Sequence, residues 1–326
     1  MNSDQALRHQ RFTRLVAIAA VMTFLMITIG AITRVTESGM GCGTYWPLCN
    51  GRVIPEFQTP EEIIEKGHRL FALLVGVYTL MVGWRAHKQY RDQPSIYLPA
   101  MGAIVLFFVQ SGLGAITVWL SNQWVSVLLH LGNAMLLFAC FLITWAAARH
   151  GEAIRREWSR LSLRLPPVEL FLTLILTFLV AMVGAAVAGN TALKACVGWP
   201  LCGSELWPAQ QGPLQVLNMT HRLVVGGLGV LLVLLLWQLR RSNNHLLRRP
   251  ILFAFGMYLL QSALGAMIVL VNQREFLTSV RALHVTFAAA TWAALVVAST
   301  ISWLQQSPVP ATNSRPAVAF SGTTSS

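Results

Sequence analysis

A chain of 326 residues that is 55% hydrophobic and only 11% charged, with a mean hydropathy of +0.58, has too little polar surface to enclose its apolar residues in water. An ordinary soluble domain is therefore excluded. The net charge of +12 is spread over short basic clusters between apolar runs, so membrane topology accounts for it and no nucleic acid is expected.

The first apolar run, 15–35, follows Arg8, Arg11 and Arg14. It is too long for the apolar stretch of a signal peptide and has no convincing small-residue cleavage site, so it is expected to stay as a first membrane helix. Runs at 68–86, 97–119, 127–148, 168–188, 219–239, 250–271 and 283–304 follow. At about 20 residues each they can cross ~30 Å of hydrocarbon as helices, and their continuity is unlike the alternation of barrel strands. The expected fold is an all-α integral membrane protein with eight transmembrane helices. With the N-terminus placed in the cytoplasm, 16 of the 24 Lys and Arg fall inside, in short loops such as "RAHKQYRD" and "RRSNNHLLRR". Both termini are then inside. Many Trp fall near helix ends, as an aromatic belt requires. The last stretch, 305–326, is rich in Ser, Pro, Ala and Thr and reads as a disordered cytoplasmic tail.

The two halves of the chain repeat one another. "YWPLC" (45–49) matches "GWPLC" (198–202) and "GHRLFALLVG" (67–76) matches "THRLVVGGLG" (220–229), both at an offset of 153. "QSGLGA" (110–115) matches "QSALGA" (261–266), and His130 matches His284. The expected organisation is a four-helix half at 1–166 followed by a second at 167–304. Because each unit holds an even number of helices, the copies insert the same way round, as parallel repeats about an axis along the membrane normal. His68, His130, His221 and His284 then lie near the outer ends of even-numbered helices. Intramembrane ionisable side chains usually face a bundle interior and carry function. Two imidazoles on facing helices of one bundle suit a single haem iron held on both faces, so two haem sites are expected, both toward the outer leaflet. Zinc or copper fits less well, because no further ligands cluster beside these histidines. His9, His87, His150 and His245 sit among basic cytoplasmic residues and read as solvated.

Arg69 and Arg222 follow two of these histidines; they either snorkel to headgroups or pair with haem propionates. Gln110 and Gln261 sit mid-helix in matched positions, as interhelical hydrogen-bonding glue or as contacts to a haem edge. Of five cysteines, Cys140 is isolated within a helix. Cys42 with Cys49, and Cys196 with Cys202, form two close pairs in outer loops, which an oxidising face would favour as disulfides. Each pair is either a loop staple or a redox group. The repeat is broken at one letter, since "EKGHR" (65–69) carries Glu65 where "NMTHR" (218–222) carries Asn218. Glu65 precedes His68 by three positions, so both share a face if the helix starts early enough. Either the carboxylate serves acid–base or cation-stabilising chemistry at the first site, or both residues merely cap their helices.

Together these features resemble haem A synthase in its bacterial, cysteine-containing form, over roughly residues 12–304. The resemblance implies oxidation of the C8 methyl of haem O to the formyl of haem A, the cofactor of terminal oxidases, in successive two-electron steps. It implies that the N-terminal half binds the substrate haem through His68 and His130, with Glu65 as the essential acid and Cys42 and Cys49 as a functional pair. The C-terminal half would hold haem b through His221 and His284 as an electron relay. The haem O would come from a haem O synthase, and the setting would be the inner membrane of a bacterial cell. The electron acceptor is open, with quinone the candidate, and a homo-oligomer is compatible. Arg34 and Glu37 lie near the mouth of the first site, where Arg34 could meet a propionate. Two other classes compete. A dihaem b-type electron carrier explains the histidines but leaves Glu65 idle; a membrane thiol oxidase explains the cysteines but leaves four histidines idle.

Overall fold

The computed structural model describes residues 3–53, 56, 58–157, 167–241 and 244–306. Arg160, Arg164, Arg315, the junction of the two halves and positions 307–326 of the expected tail lie outside them. Eight long helices account for most of the described chain: α1 (Ser3–Val35), α2 (Pro60–Gln89), α3 (Pro94–Trp119), α4 (Trp124–Glu157), α5 (Pro167–Gly189), α6 (Pro213–Arg241), α7 (His245–Leu270) and α8 (Arg274–Gln306). Each is long and apolar enough to cross a membrane, and the protein is an all-helical integral membrane protein.

The helices extend beyond the hydropathy signal at both ends. α2 begins at Pro60 because Thr59 caps it, its side chain accepting from the Glu62 amide at 3.3 Å, while the Glu62 carboxylate reaches back to the Gln58 amide at 2.9 Å. Proline at the first helical position costs nothing, since that N–H has no partner within the helix. α8 runs to Gln306, two residues into the expected tail.

α1 to α4 pack as a closed ring in chain order, α1 touching α4, and α5 to α8 do the same, α5 touching α8. The rings meet through α4 against α8, flanked by α1 against α8 and α4 against α5. α4 and α8 are consequently the central pair, buried over 50% and 61% of their apolar windows against 22–39% for the other six. Phe141 and Leu295 are fully buried, and the Trp292 indole N–H donates to the Met135 carbonyl across the seam at 3.0 Å. Large apolar side chains on the outer faces, such as Leu73, Phe108, Val168 and Val230, are exposed, as a lipid-facing surface requires.

Near the start of α1, His9 is not simply solvated. Its Nε2–H donates to the Ala148 carbonyl at 3.0 Å and its Nδ1 accepts from the Tyr90 hydroxyl at 2.9 Å, tying α1 to α4 and to the α2–α3 turn.

Candidate functional site

All four histidines lie within about ten residues of the N-terminal end of an even-numbered helix, at one end of the bundle. His68 is on α2 and His130 on α4, within the first ring; His221 is on α6 and His284 on α8, within the second. Each imidazole lies with its Cε1–Nδ1 edge against a glycine of the preceding odd-numbered helix. A methyl added at Gly30 would stand 3.3 Å from His68 Cε1, and one at Gly114 3.4 Å from His130 Cε1. At Gly184 it would stand 2.9 Å from His221 Cε1, and at Gly265 3.2 Å from His284 Cε1. The glycines leave room for a ring to lie on the neighbouring backbone.

At His284 the seating sets the tautomer: its Nδ1–H donates to the Gln261 carbonyl at 2.7 Å, which leaves the Nε2 lone pair free. At His130 the Nε2 lone pair is occupied by a side-chain relay that a bound metal would have to displace. Asn133 donates from Nδ2 to Gln110 Oε1 at 2.7 Å, so the Gln110 amide group faces His130 and donates to its Nε2 at 3.0 Å. Asn133 is itself held by the Leu106 carbonyl at 2.9 Å. The Nδ1 atoms of His68 and His130 are buried with no hydrogen-bond partner among the described residues. A donor set of neutral imidazoles in pairs fits an iron porphyrin; among the described residues no three His, Cys, Asp or Glu side chains converge on a single ion.

The two cysteine-bearing loops are drawn onto the same end of the bundle. Cys42 is joined to Cys49 and Cys196 to Cys202, all four nearly or fully buried. The loops share a form: Cys49 pairs with Arg52, and Cys202 with Glu205, in single antiparallel bridges. A 3-10 turn precedes each, at Ser38–Met40 and at Ala192–Lys194, entered through a left-handed residue, Glu37 or Thr191.

The arginines anchor these loops, a task the sequence does not announce. Arg69 donates from Nη1 to the carbonyls of Tyr45 and Leu48 and from Nη2 to the Glu65 carboxylate. Arg222 donates from Nη1 to the carbonyls of Gly198, Pro200 and Leu201. Glu65 is buried, and its other oxygen accepts from the Cys42 amide at 2.7 Å. The early start of α2 puts Glu65 within the helix, but its carboxylate is held between the arginine and the disulfide loop. Asn218 makes the opposite contact: its Nδ2 donates to the Ala192 carbonyl at 2.6 Å. One consequence is that Arg222 Nη2, with no carboxylate beside it, is buried without a partner. Arg281, three residues before His284 on α8, has a buried Nε in the same condition. Arg34 and Glu37 are exposed at the end of α1.

Three groups of residues escape a reading of the sequence alone. The four cradling glycines could have been noticed as matched positions in "MITIGA" and "VAMVGA" and in the second glycine of "QSGLGA" and "QSALGA". Asn133 sits one turn beyond His130, and Arg281 one turn before His284, so helical spacing from the histidines would have found both.

Comparison with known proteins reaches the same region of sequence space. A family model described as cytochrome oxidase assembly protein matches residues 13–63 and 56–296. Proteins named heme A synthase are similar over most of their length. That of an Exiguobacterium species is 31% identical over 81% of this chain and 85% of its own. That of Symbiobacterium thermophilum is 32% identical over 78% and 84%, and that of Geobacillus kaustophilus 30% identical over 85% and 88%.

Proposed function

Since the chain belongs to the cytochrome oxidase assembly protein family, we propose that it carries out the reaction of a haem A synthase, oxidising the C8 methyl of haem O to a formyl group in successive two-electron steps. The observation that carries this reading is the seating of four imidazoles, two in each helical ring, with their Nδ1 edges turned to a neighbouring backbone. The first step adds the oxygen of one water to the methyl and releases a pair of electrons and protons; the second removes a further pair and leaves the aldehyde.

The N-terminal ring holds the substrate, His68 and His130 gripping the iron from α2 and α4. Held by these two imidazoles, the iron would have no open position for oxygen, and the oxidation would fall on the porphyrin periphery. Glu65 accepts the protons released as water adds to the methyl carbon. Arg69 fixes the carboxylate and, through the Tyr45 and Leu48 carbonyls, locks the Cys42–Cys49 loop over it. The Glu65–Cys42 contact makes the disulfide part of the same unit, so a change in its redox state is felt by the carboxylate.

In the C-terminal ring His221 and His284 would hold haem b, which would supply a one-electron relay. Arg222 and Arg281 each keep a buried donor without a partner and are the groups that would meet its propionates. Asn218 keeps the shape of Glu65 and carries no proton chemistry. The setting is the inner membrane of a bacterial cell with both sites toward its outer face, haem O arriving from a haem O synthase and electrons leaving to a quinone. Presented with haem O, the protein is expected to yield the red-shifted pyridine haemochrome of a formyl porphyrin. Two tightly bound haems with no such shift would identify an electron carrier instead.

A further inference from the structure

We infer that Gly30, Gly114, Gly184 and Gly265 are positioning residues for the haem ligands, each setting the rotation and depth of one imidazole, an inference that rests on the haem-binding reading above. Small residues in membrane helices commonly serve helix packing, and three glycines here do so. A methyl at Gly76 would strike Phe107 at 2.4 Å, one at Gly83 would strike Ile104 at 2.2 Å, and one at Gly229 would strike the Tyr258 hydroxyl at 2.4 Å. The four at the histidines are of a different kind. Among the described residues, and beyond the glycine's own stretch of helix, the imidazole is the only group within 4 Å of the added carbon at Gly30, Gly114 and Gly265, and at Gly184 the three nearest atoms all belong to His221. What each glycine accommodates is the ligand ring itself.

The chain contains its own control. In "QSGLGA" two glycines lie a helical half-turn apart. Gly112 has nothing within 4 Å of an added carbon, and its counterpart in "QSALGA" is Ala263. Gly114, which faces His130, remains glycine as Gly265, which faces His284. The position that touches no ligand carries a methyl in the second half; the position that touches one is glycine in both halves.

A ring pressed by a methyl must tilt or rise, and an iron-bound ring can do neither without changing the angle between the two ligand planes and the iron–nitrogen overlap. Outer residues that orient a ligand commonly contribute tenfold or more to metal affinity. The test uses the membrane-extracted holoprotein with Gly30→Ala, Gly114→Ala, Gly184→Ala, Gly265→Ala and Gly112→Ala, read by low-spin ferric EPR, midpoint potential and haem per chain. Gly184→Ala, with the shortest contact, is expected to shift the largest g value of one haem signal and to weaken haem retention at that site about tenfold. Gly265→Ala should move the same signal, Gly30→Ala and Gly114→Ala the other, and Gly112→Ala neither. Should the first two variants not accumulate, the milder pair decides. Wild-type g values and potentials in all the accumulating cradle variants, or an equal shift in Gly112→Ala, would overturn the inference. So would failure of all four cradle variants to accumulate beside a normal Gly112→Ala, which would assign these glycines to packing. Haem-free wild-type protein would sink the underlying haem reading instead.

Discussion

At position 65 a carboxylate accepts a backbone N–H from a disulfide-bonded cysteine and shares a guanidinium with the loop that carries it; at position 218 an amide donates to the chain instead. The Glu65–Arg69 pair is largely shielded from solvent, with side-chain exposures of 4% and 13%, so its geometry is firmly held. Glu65→Gln preserves the volume and one acceptor while removing the proton-accepting group. Formation of formyl porphyrin from haem O should fall on the order of 100-fold, with haem per chain unchanged. Pyridine haemochrome spectra of membranes measure both quantities, and full retention of conversion would eliminate the proton-accepting role. In the other ring, Arg281→Gln removes a buried unpaired donor one turn from His284. It should weaken retention of that haem several-fold, about 1 kcal/mol or more for a charge-assisted contact, and leave the N-terminal haem in place. An equal loss of both haems in a titration with apomyoglobin would show that Arg281 acts on the fold rather than on a propionate.

Helices were the most legible elements, because about 20 apolar residues in a row have no alternative but to cross the bilayer. Their true starts were less so: α2 begins at Pro60, eight residues before its apolar run, since a cap and a proline set it rather than hydropathy. The histidines could be read from register alone. The cradling glycines could not be assigned, because a glycine in a membrane helix looks the same whether it faces a phenylalanine, as Gly76 does, or an imidazole. The loop-anchoring contacts of Arg69 and Arg222 are not legible for a similar reason: their partners are main-chain carbonyls of loops whose path no side-chain pattern reveals. The disulfides staple these loops over only 7 and 6 residues of sequence. Each should contribute about 2 kcal/mol by the loop-entropy argument. Cys196→Ser with Cys202→Ser should therefore lower thermal stability modestly and spare conversion of haem O. Cys42→Ser with Cys49→Ser should lower both, because Glu65 is bonded to that loop. Equal retention of conversion by the two double variants would separate the disulfide from the chemistry.

The whole molecule is two rings of helices joined along α4 and α8, and at the seam buried Trp292 and Val296 of α8 pack into the core of the first ring, the Trp292 indole N–H donating to the Met135 carbonyl. Trp292→Ala should cost about 3–5 kcal/mol, seen as a lower temperature of haem release from both rings together. Loss from the second ring alone would indicate that the rings are stable independently. Orientation is testable in intact cells. A cysteine introduced at Glu205, in the second disulfide loop, should react with an impermeant maleimide from outside. One at Asp92, in the α2–α3 turn, should react only after permeabilisation, and the reverse pattern would invert the topology. The proposed chemistry depends on four imidazoles gripping two porphyrins. The most direct test is haem content and type in purified protein, for the wild type and for His68→Ala, His130→Ala, His221→Ala and His284→Ala. The expected result is two haems per chain, with His68 and His130 variants losing the haem that turns from O to A and His221 and His284 variants losing haem b. A wild-type protein without a Soret band, or histidine variants that retain both haems, would contradict it.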